Sequence, residues 1–534
     1  MWRGTERVCK LAFSGLLAVA GGVGGCSDPG SGQGPPQVMT PPPEPPKLVW
    51  QRTLAPTAAL ELAPRARGWS VVRGIIHLHS PHSHDACDNN PQPGGQLNAP
   101  CLAHLRLGLC QTRQDFAMLT DHAGHMTEAP FESLFLPDAA AGDEPVRERG
   151  TVIGSSLRCD DAVAPGQRVL LTVGGENQLM PVGLHHHLGD TPDERAANMK
   201  AESPAAVQAF HDAGGAVLLP HGESRSLELI KTLAEAGLDG MEVYNLHANI
   251  DPTIRSTYLD LEALGAVAGL APWLPATPVA EGGPEPDLAM LGFLLPNRNQ
   301  LGKFDTLLGL GRHLLPMAGS DIHENSFKQL LADGERGDSY RRLMRWFGNH
   351  LLVPAGQPLT PVLLNEAVRS GRGYTVFHLF GPPEGFDFYA EPGSAGRPVA
   401  ELGDTVTVGA KLHLVAPRPL PKDDLRPDPV LRLTLLRVAP GQSAAQVVQT
   451  RLWSAAELQA GAAAFLVDTA ATGPGAYRAE VTVIPHHLVH LVAANNPTDG
   501  AVYLHEFPYL YSGVIYVEAA QPLGHTARRG AAAQ

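Results

Sequence analysis

The chain has 534 residues, and its 40 Lys and Arg against 54 Asp and Glu give a formal net charge of −14. This length suggests two or three domains, and an acidic chain without a basic block argues against nucleic-acid binding and against attraction to anionic lipid. The 57 Gly and 48 Pro are aperiodic, which excludes a collagen-like chain, while the 23 histidines are notable because histidine is the commonest metal ligand.

The N-terminus is typical of an export signal. Basic residues precede an apolar stretch from Leu11 to Val23, and Val23-Gly24-Gly25-Cys26 resembles a bacterial lipobox, in which the cysteine becomes the lipidated N-terminus. This pattern predicts a lipoprotein-type signal peptide over 1–26 and a Pro/Gly-rich tether over 27–66. We therefore expect an exported cell-envelope lipoprotein, periplasmic or anchored to the outer membrane, that contacts the membrane only through its N-terminal lipid. Cleavage after Ala18-Val19-Ala20 is the alternative and would give a free secreted protein.

Four cysteines remain once Cys9 is removed with the signal and Cys26 is set aside for the lipid. They are Cys87, Cys101, Cys110 and Cys159. An even number in an oxidising compartment predicts two disulfides, and all three pairings are open. Zinc binding by these four is a weaker interpretation because no CxxC pair occurs.

From residue 70 onward, short apolar runs alternate with helical stretches. The predicted strands are Val71–His79, Phe116–Thr120, Val169–Val173, Leu184–Leu188, Ala216–Pro220, Met241–Tyr244 and Leu315–Ala318. Predicted helices between them include Pro204–Ala213 and Leu227–Ala236, each followed by glycine. This alternation favours a parallel sheet, and seven strands over about 250 residues favour a TIM-like barrel.

Nearly every predicted strand has a His, Asp or Glu at its carboxyl end, where barrel active sites are built. In the first strand, alternation places His77 and His79 on one face. The other candidates in chain order are His84 or Asp85, Asp121, His122, Glu176, His185, His186, His187, His221, Asp321 and His323. Many imidazoles with a few carboxylates on one rim predict a polynuclear metal site of nitrogen and oxygen character, an arrangement used in phosphoester hydrolysis.

The motif order HxHS, TDH, GxE, HxLG, PH and GSDxH resembles that of the polymerase-and-histidinol-phosphatase (PHP) superfamily over roughly residues 68–380. The resemblance implies an α/β fold with a distorted, seven-stranded TIM-like barrel and two or three divalent metal ions, zinc, manganese or iron. It implies a first metal on His77, His79, Glu176 and Asp321, a second on His84, His122 and His323, and a third on Glu176, His186 and His221. Glu176 would be the bridging carboxylate. Asp85 in place of His84, and His185 in place of His186, stay open as alternatives.

The C-terminal half changes in character beyond about residue 385. Before that point, Ser339–His350 is predicted to be an Arg-rich amphipathic helix, and Thr360-Pro361 begins another helix that ends near Gly371. Beyond it, the short predicted strands are Thr405–Val408, Arg432–Val438, Gly475–Ile484 and Gly513–Val517. We therefore expect a hydrolase barrel over 67–384, a small all-β sandwich-like domain over 385–520 and a flexible tail over 521–534.

The last predicted strand indicates one branch of the superfamily. Phe507–Val517 is similar to the terminal strand of PHP proteins of the bacterial carbaryl-hydrolase type, which indicates that branch of the superfamily. His486, His487 and His490 also lie in this half, and we interpret them as surface histidines at a strand end rather than as a second metal site.

Together these features predict an enzyme, a metal-dependent hydrolase with phosphoesterase activity that uses a metal-bridging hydroxide to attack phosphorus or a carbonyl. Glu176 would bridge the metals, and His221, His323 or another strand-end group would protonate the leaving group. The expected partner is a small-molecule phosphoester. The alternatives are an ester, carbamate or amide hydrolase of the same fold, and a non-catalytic envelope protein with a structural metal site. Arg225 is interpreted as an exposed residue at a helix start rather than as a clamp for a substrate anion.

Overall fold

The computed structural model describes residues 49–57, 67–265, 270–274, 277–393, 398–419, 429–454, 457–458, 464–492 and 504–519. The predicted signal peptide, most of the tether and the C-terminal tail lie outside these residues. Among the described residues, no helix combines the length and the apolar character that are needed to cross a bilayer.

Strands and helices alternate through the first two thirds of the chain, and strands dominate the rest. The strands are β1 (Trp69–Leu78), β2 (Phe116–Leu119), β3 (Glu144–Glu148), β4 (Thr151–Arg158), β5 (Arg168–Val173), β6 (Met180–Val182), β7 (Ala216–Leu219), β8 (Gly240–Asn245), β9 (Leu315–Gly319), β10 (Gly348–Pro354), β11 (Gly373–Val376), β12 (Pro383–Glu384), β13 (Asp387–Glu391), β14 (Thr405–Thr407), β15 (Lys411–Val415), β16 (Arg418–Pro419), β17 (Val430–Val438), β18 (Gln446–Ser454), β19 (Ala464–Asp468), β20 (Gly475–Ile484) and β21 (Phe507–Glu518). The longer helices are Ala99–Gln111, Pro192–Met199, Pro204–Asp212, Leu227–Glu235, Pro252–Tyr258, Arg298–Gly309, Tyr340–Trp346 and Pro361–Arg369.

Helix starts follow the expected capping chemistry. The side chain of Ser203 accepts a hydrogen bond from Ala206 N, and Pro204 occupies the first turn, where its missing N–H costs nothing. Thr360 caps the helix Pro361–Arg369 in the same way, by accepting from Leu363 N. These local signals explain why both helix starts were predictable from sequence.

Across the described residues, the strands form a mixed α/β fold, as predicted, but not a closed barrel. One sheet of 12 strands runs in the order β18-β17-β20-β21-β11-β10-β1-β2-β5-β4-β3, with β14 beside β21. Strands β6 to β9 form a separate sheet of four strands. Strands β1, β2 and β5 are parallel neighbours, as are β7, β8 and β9. A bridge between Leu78 and Ile322 brings the end of β1 beside the segment that follows β9, so both parallel sets direct their carboxyl ends to one region.

The predicted strand Leu184–Leu188 is wrong. The strand in this region is β6, which ends at Val182, two residues before the predicted start. Gly183 follows with φ 65°, a left-handed conformation that glycine adopts readily and that interrupts an extended strand. The histidines from 185 to 187 therefore lie in irregular backbone rather than at a strand end.

The predicted amphipathic helix Ser339–His350 is wrong in its second half and in its exposure. The helix covers only Tyr340–Trp346, and β10 begins at Gly348. Its arginines are buried rather than solvated: Arg341 and Arg342 pair with the buried carboxylate of Asp287. Asp287 lies more than fifty residues away in sequence, so the pattern of residues 339–350 gave no sign of this pairing. By itself, that pattern indicates a basic face exposed to solvent.

The C-terminal strands continue the sheet of the preceding part. Strand β20 has the predicted bounds, Gly475–Ile484, and pairs with β17 and β21. Strand β21 in turn pairs with β11, which lies before the predicted boundary at residue 384. The division into a barrel over 67–384 and a sandwich-like domain over 385–520 stays a prediction.

Two disulfides are present, as predicted, and the structure gives the pairing: Cys87–Cys101 and Cys110–Cys159. All four cysteines are buried. The second disulfide links residues 49 apart in sequence, joining the end of the helix Ala99–Gln111 to the residue after β4. It therefore restricts the unfolded chain more than the first, whose residues are 14 apart.

We expect the double variant Cys110→Ser/Cys159→Ser to lose ~4 kcal/mol of unfolding free energy, because the unfolded chain regains the entropy of the open loop. Urea denaturation followed by circular dichroism measures this change. An unchanged midpoint and slope relative to the unmodified protein would contradict it.

Candidate metal centre

Four buried side chains converge where the parallel strands end. His77 lies in β1 and His79 follows it directly, Glu176 follows β5, and Asp321 follows β9. The Nε2 atom of His77 is 3.4 Å from Oδ1 of Asp321 and 3.8 Å from Oε2 of Glu176. The Nε2 atom of His79 is 3.2 Å and 3.7 Å from the same two oxygens. We call these four residues group one.

A second set of ligand-type side chains adjoins the first and shares His79 with it. Group two consists of His79, Asp85, His122 and His323. Oδ2 of Asp85 is 3.3 Å from Nε2 of His122 and 3.3 Å from Nε2 of His323. In each group the four ligand atoms lie within 4.8 Å of one another. The side chains of group one are at most 4% exposed, whereas those of Asp85 and His122 are 20% and 23% exposed, so group two faces solvent.

The Nδ1 atoms of three of these histidines contact neighbouring groups. Nδ1 of His77 is 2.6 Å from Oε1 of Glu242, and Nδ1 of His122 donates to the backbone carbonyl of Glu176 over 2.8 Å. Nδ1 of His79 lies 3.2 Å from Oγ of Ser83. Metal-binding histidines are held in this way, because the contact fixes the tautomer and directs the other nitrogen at the ion.

The buried ring nitrogens of group one fit a cation. Among the described residues, Nε2 of His77 and Nε2 of His79 have no hydrogen-bond partner although both are fully buried. Buried polar atoms are almost always paired, so two unpaired nitrogens facing two carboxylates indicate a ligand. Imidazole and carboxylate together suit zinc, manganese and iron.

Carboxylates and imidazoles shift each other's pKa values. Burial lowers the pKa of His122, but Glu176 and Asp85 outweigh it and raise the pKa to about 10. Burial also lowers the pKa of His221, but the charge of Glu176 and its contact with the ring outweigh burial and raise that pKa to about 9. Burial and the charge of His323 lower the pKa of His79 to about 3, so its ring is neutral near pH 7. Burial opposes ionisation of Glu176, but His122 and His221 hold its pKa well below the usual range.

Metal binding is therefore expected to release protons, and metal affinity should rise with pH. The raised pKa values of His122 and His221 mean that both rings carry protons near neutrality, and a cation must displace a proton from each ring that it ligates. Below these pKa values, affinity should fall ~10-fold per pH unit for each displaced proton. Calorimetric titration with Zn²⁺ or Mn²⁺ in buffers of different ionisation enthalpy counts the protons. An affinity that is independent of pH from 6 to 8 would contradict this expectation.

The structure brings most of the predicted ligands together. Six predicted ligands are members of the two groups, and a seventh, His221, contacts a member. The seven are His77, His79, His122, Glu176, His221, Asp321 and His323. His221 belongs to neither group of four but contacts Oε1 of Glu176 through its Nε2 atom.

Two predicted ligands lie outside the groups. The side chain of His84 is exposed, and its neighbour Asp85 occupies the position in group two, the alternative that the spacing left open. The side chain of His186 is also exposed, and its Nδ1 atom donates to the carbonyl of His187. The physical reason is the early end of β6, which places residues 185–187 in irregular backbone. Among the described residues, Glu176, His186 and His221 therefore do not form the third ligand group that was predicted.

Arg225 is not exposed, contrary to the sequence interpretation. Its guanidinium contacts the carboxylate of Glu202 and the carbonyl of Gln178, and its side chain is 10% exposed. The partner Glu202 comes from a different part of the chain, so local sequence gave no signal of this pairing.

Sequence reasoning missed two residues of the centre, Glu242 and His247. The carboxylate of Glu242 is buried in β8, where Oε1 contacts His77 and Oε2 accepts from His221 N and from Asn245 Nδ2. Nδ1 of His247 is 3.3 Å from Oδ2 of Asp321. The signal for Glu242 was its position inside an otherwise apolar predicted strand, since a buried carboxylate requires partners.

Comparisons with known proteins give no close relative. No protein-family model matches the sequence, and no curated protein is significantly similar to it. Among solved structures, a two-domain protein from Bacteroides vulgatus, described as containing a predicted PHP-like metal-dependent phosphoesterase, aligns over 84% of this chain and 98% of its own, with 12% identity and a TM-score of 0.31. A protein described as CvAA9A aligns over 23% of this chain and 60% of its own (14% identity, TM-score 0.16). The glycoside hydrolase family 61 member Cel61B from Hypocrea jecorina aligns over 33% and 83% (12% identity, TM-score 0.15). These TM-scores are too low to establish a shared fold.

Proposed function

We propose that this chain is a metal-dependent phosphoesterase of the PHP type. The observation that carries the proposal is the pair of adjacent His/carboxylate groups that share His79, one buried and one open to solvent. Divalent ions held there would polarise a phosphoryl oxygen, lower the pKa of water and neutralise charge that develops during hydrolysis.

The chain's own residues take distinct roles in this proposal. Group one fixes the buried side of the centre, and Glu242 holds His77 in the orientation that directs Nε2 inward. His122 and His323, on the exposed side, border the space that a substrate would enter. We assign the proton transfer to the leaving group to His221, because its Nε2 atom contacts Glu176 beside group one while its ring belongs to neither group of ligands.

The family and the barrel form part of the same proposal. The order of the sequence motifs supports the PHP superfamily and its carbaryl-hydrolase-like branch. The convergence of the carboxyl ends of β1, β2, β5 and β9 supports a TIM-like arrangement of the ligands. Zinc, manganese and iron are the candidate ions, since all accept imidazole with carboxylate.

The proposal is tested by activity after metal loading. The protein is first stripped of metal with a chelator and then reloaded separately with Zn²⁺, Mn²⁺ or Fe²⁺. Each preparation is assayed with p-nitrophenyl phosphate, bis-p-nitrophenyl phosphate and a naphthyl carbamate. We expect a phosphate ester to be hydrolysed with at least one ion and the activity to disappear with chelator. Turnover of the carbamate alone would instead identify a carbamate or ester hydrolase. No turnover with any ion, although ions bind, would indicate a non-catalytic envelope protein.

We further propose that the protein is exported and anchored by lipid on Cys26, with small-molecule substrates as its partners. The apolar N-terminal stretch supports export, and so do the two buried disulfides, since disulfides persist in oxidising compartments. Cell fractionation tests this. The full chain should partition with membranes and the Cys26→Ser variant should not, whereas equal partitioning of both would contradict the anchor.

A further inference from the structure

Residues 85–88, which include Asp85, are hydrogen-bonded to residues 323–325, which include His323. The backbone N–H of Cys87 donates to the carbonyl of His323 over 2.8 Å, and that of Asp88 donates to the carbonyl of Glu324 over 2.9 Å. The side-chain amide of Asn325 donates to the carbonyl of Asp85 over 2.8 Å. Asp85 is the only carboxylate among the four members of group two, so these contacts hold its position relative to His323.

The backbone of this segment is one that most residues avoid. Cys87, Asp88 and Asn89 have φ values of 56°, 62° and 61°, three consecutive non-glycine residues in the left-handed region. Each such residue is disfavoured by contact between Cβ and the backbone, and a run of them persists only where surrounding structure holds it. The segment therefore depends on its backbone hydrogen bonds and on the contacts made by its side chains.

Two of those side chains supply strong contacts, and neither belongs to a metal group. Cys87 forms the disulfide with Cys101, which lies in the first turn of the helix Ala99–Gln111. The carboxylate of Asp88 accepts two hydrogen bonds from the guanidinium of Arg336, over 2.9 Å and 3.1 Å. Arg336 also pairs with Asp338, so its orientation is fixed on both sides.

We propose that the Cys87–Cys101 disulfide and the Asp88–Arg336 ion pair are positioning groups that hold Asp85 against His122 and His323 and thereby set the metal affinity of group two. Group one has no ligand on the segment 85–89. Because Nδ1 of His79 lies against Ser83, its Nε2 atom can bind only one ion, and we assign that nitrogen to group one, with Asp85, His122 and His323 holding the ion of group two. Loss of the disulfide or of the ion pair should therefore leave the affinity of group one nearly unchanged. The inference rests on the proposed function only in requiring that both groups bind cations.

The test compares four variants of the full-length protein by metal content and affinity rather than by activity. Cys87→Ser/Cys101→Ser removes the disulfide. Arg336→Met removes the Asp88–Arg336 ion pair while both disulfides stay intact, and it leaves Lys328 as a cationic partner of Asp88, at 3.1 Å. Cys110→Ser/Cys159→Ser is the matched disulfide control. Arg106→Met is the matched ion-pair control, since Arg106 makes a bidentate pair with Asp143 at 2.7 Å and 2.9 Å. Zn²⁺ is measured by mass spectrometry after dialysis and by titration against a chelating indicator, with circular dichroism to verify folding.

We expect unmodified protein and both controls to hold an ion in each group. Both test variants should retain the tight ion of group one and bind the second ion ~10- to 100-fold more weakly, the usual consequence of losing a group that orients a ligand. Wild-type affinity for both ions in the two test variants would overturn the inference. Equal weakening of both ions in folded Arg336→Met protein would overturn it as well, because the effect would not be selective. If the unmodified protein bound no ion, the proposed function itself would fail and this inference with it.

Discussion

Glu176→Gln should lower kcat for phosphoester hydrolysis by ~10³-fold or more, because metal centres of this kind supply several kcal/mol of stabilisation to developing charge. Oε2 of Glu176 lies 3.8 Å from Nε2 of His77 and 3.7 Å from Nε2 of His79, and Oε1 contacts His221. Glutamine has nearly the same shape but no negative charge, and its amide nitrogen does not ligate a cation. The substitution therefore removes the negative charge and one of the two ligand oxygens, since only the amide oxygen can still bind an ion, while it preserves the packing around the centre.

The readouts are kcat and the metal content of the purified variant. Glu228→Gln is a matched control, since Glu228 lies on the exposed side of the helix Leu227–Glu235, where it pairs with Lys231. The control should keep the metal content and rate of the unmodified protein. A Glu176→Gln variant that retained full metal content and full kcat would show that this carboxylate is not part of the centre.

Asp287→Ala should reduce the free energy of unfolding by ~3–5 kcal/mol, the usual cost of leaving a buried charge without its partner. Asp287 is fully buried and pairs with Arg341 at 2.5 Å and with Arg342 at 2.6 Å. Its Oδ2 atom also accepts from the indole of Trp50 over 2.7 Å. Removal of this one carboxylate would leave two buried guanidinium groups with reduced compensation and release the segment that contains Trp50.

Denaturant unfolding of the variant measures this effect. Asp161→Ala is a suitable control, because Asp161 and its partner Arg158 are both more than half exposed and exposed ion pairs contribute little. The control should leave the midpoint nearly unchanged. If both variants unfolded at the same denaturant concentration as the original protein, the buried network would be irrelevant to stability.

Asp287 also shows why a gathering of acidic side chains is not in itself a metal site. Asp287, Asp333 and Glu335 lie close enough to hold an ion. However, all three are paired with Arg341 or Arg342, whose charges already compensate theirs. In groups one and two the neighbours of the carboxylates are imidazoles, which become ligands once they lose a proton.

The predicted site residues that the structure brings together are those defined by local geometry. Alternation along a strand places His77 and His79 on one face, and a polar residue just after a buried strand is directed to its carboxyl end. Such rules depend only on neighbours along the chain, so they also identified Glu176, Asp321 and His323. The number of disulfides followed from counting cysteines, again without knowledge of the fold.

The tertiary structure determined the features that depend on contacts between residues far apart in sequence. The position of Asp85 rather than His84 in group two, and the position of His186 outside both groups, depend on how irregular backbone turns after β1 and β6, where one residue of slip redirects a side chain. The disulfide pairing, the role of Glu242 beside His77 and the burial of Arg341 and Arg342 each depend on a partner far along the chain. Sequence alone determined which residues can supply ligands and, for His77, His79, Glu176 and Asp321, which strand ends they lie on or follow. Only the packed chain decided which of them meet, because a metal centre needs its ligand atoms within a few ångströms, a tolerance far finer than the spacing of residues along the sequence.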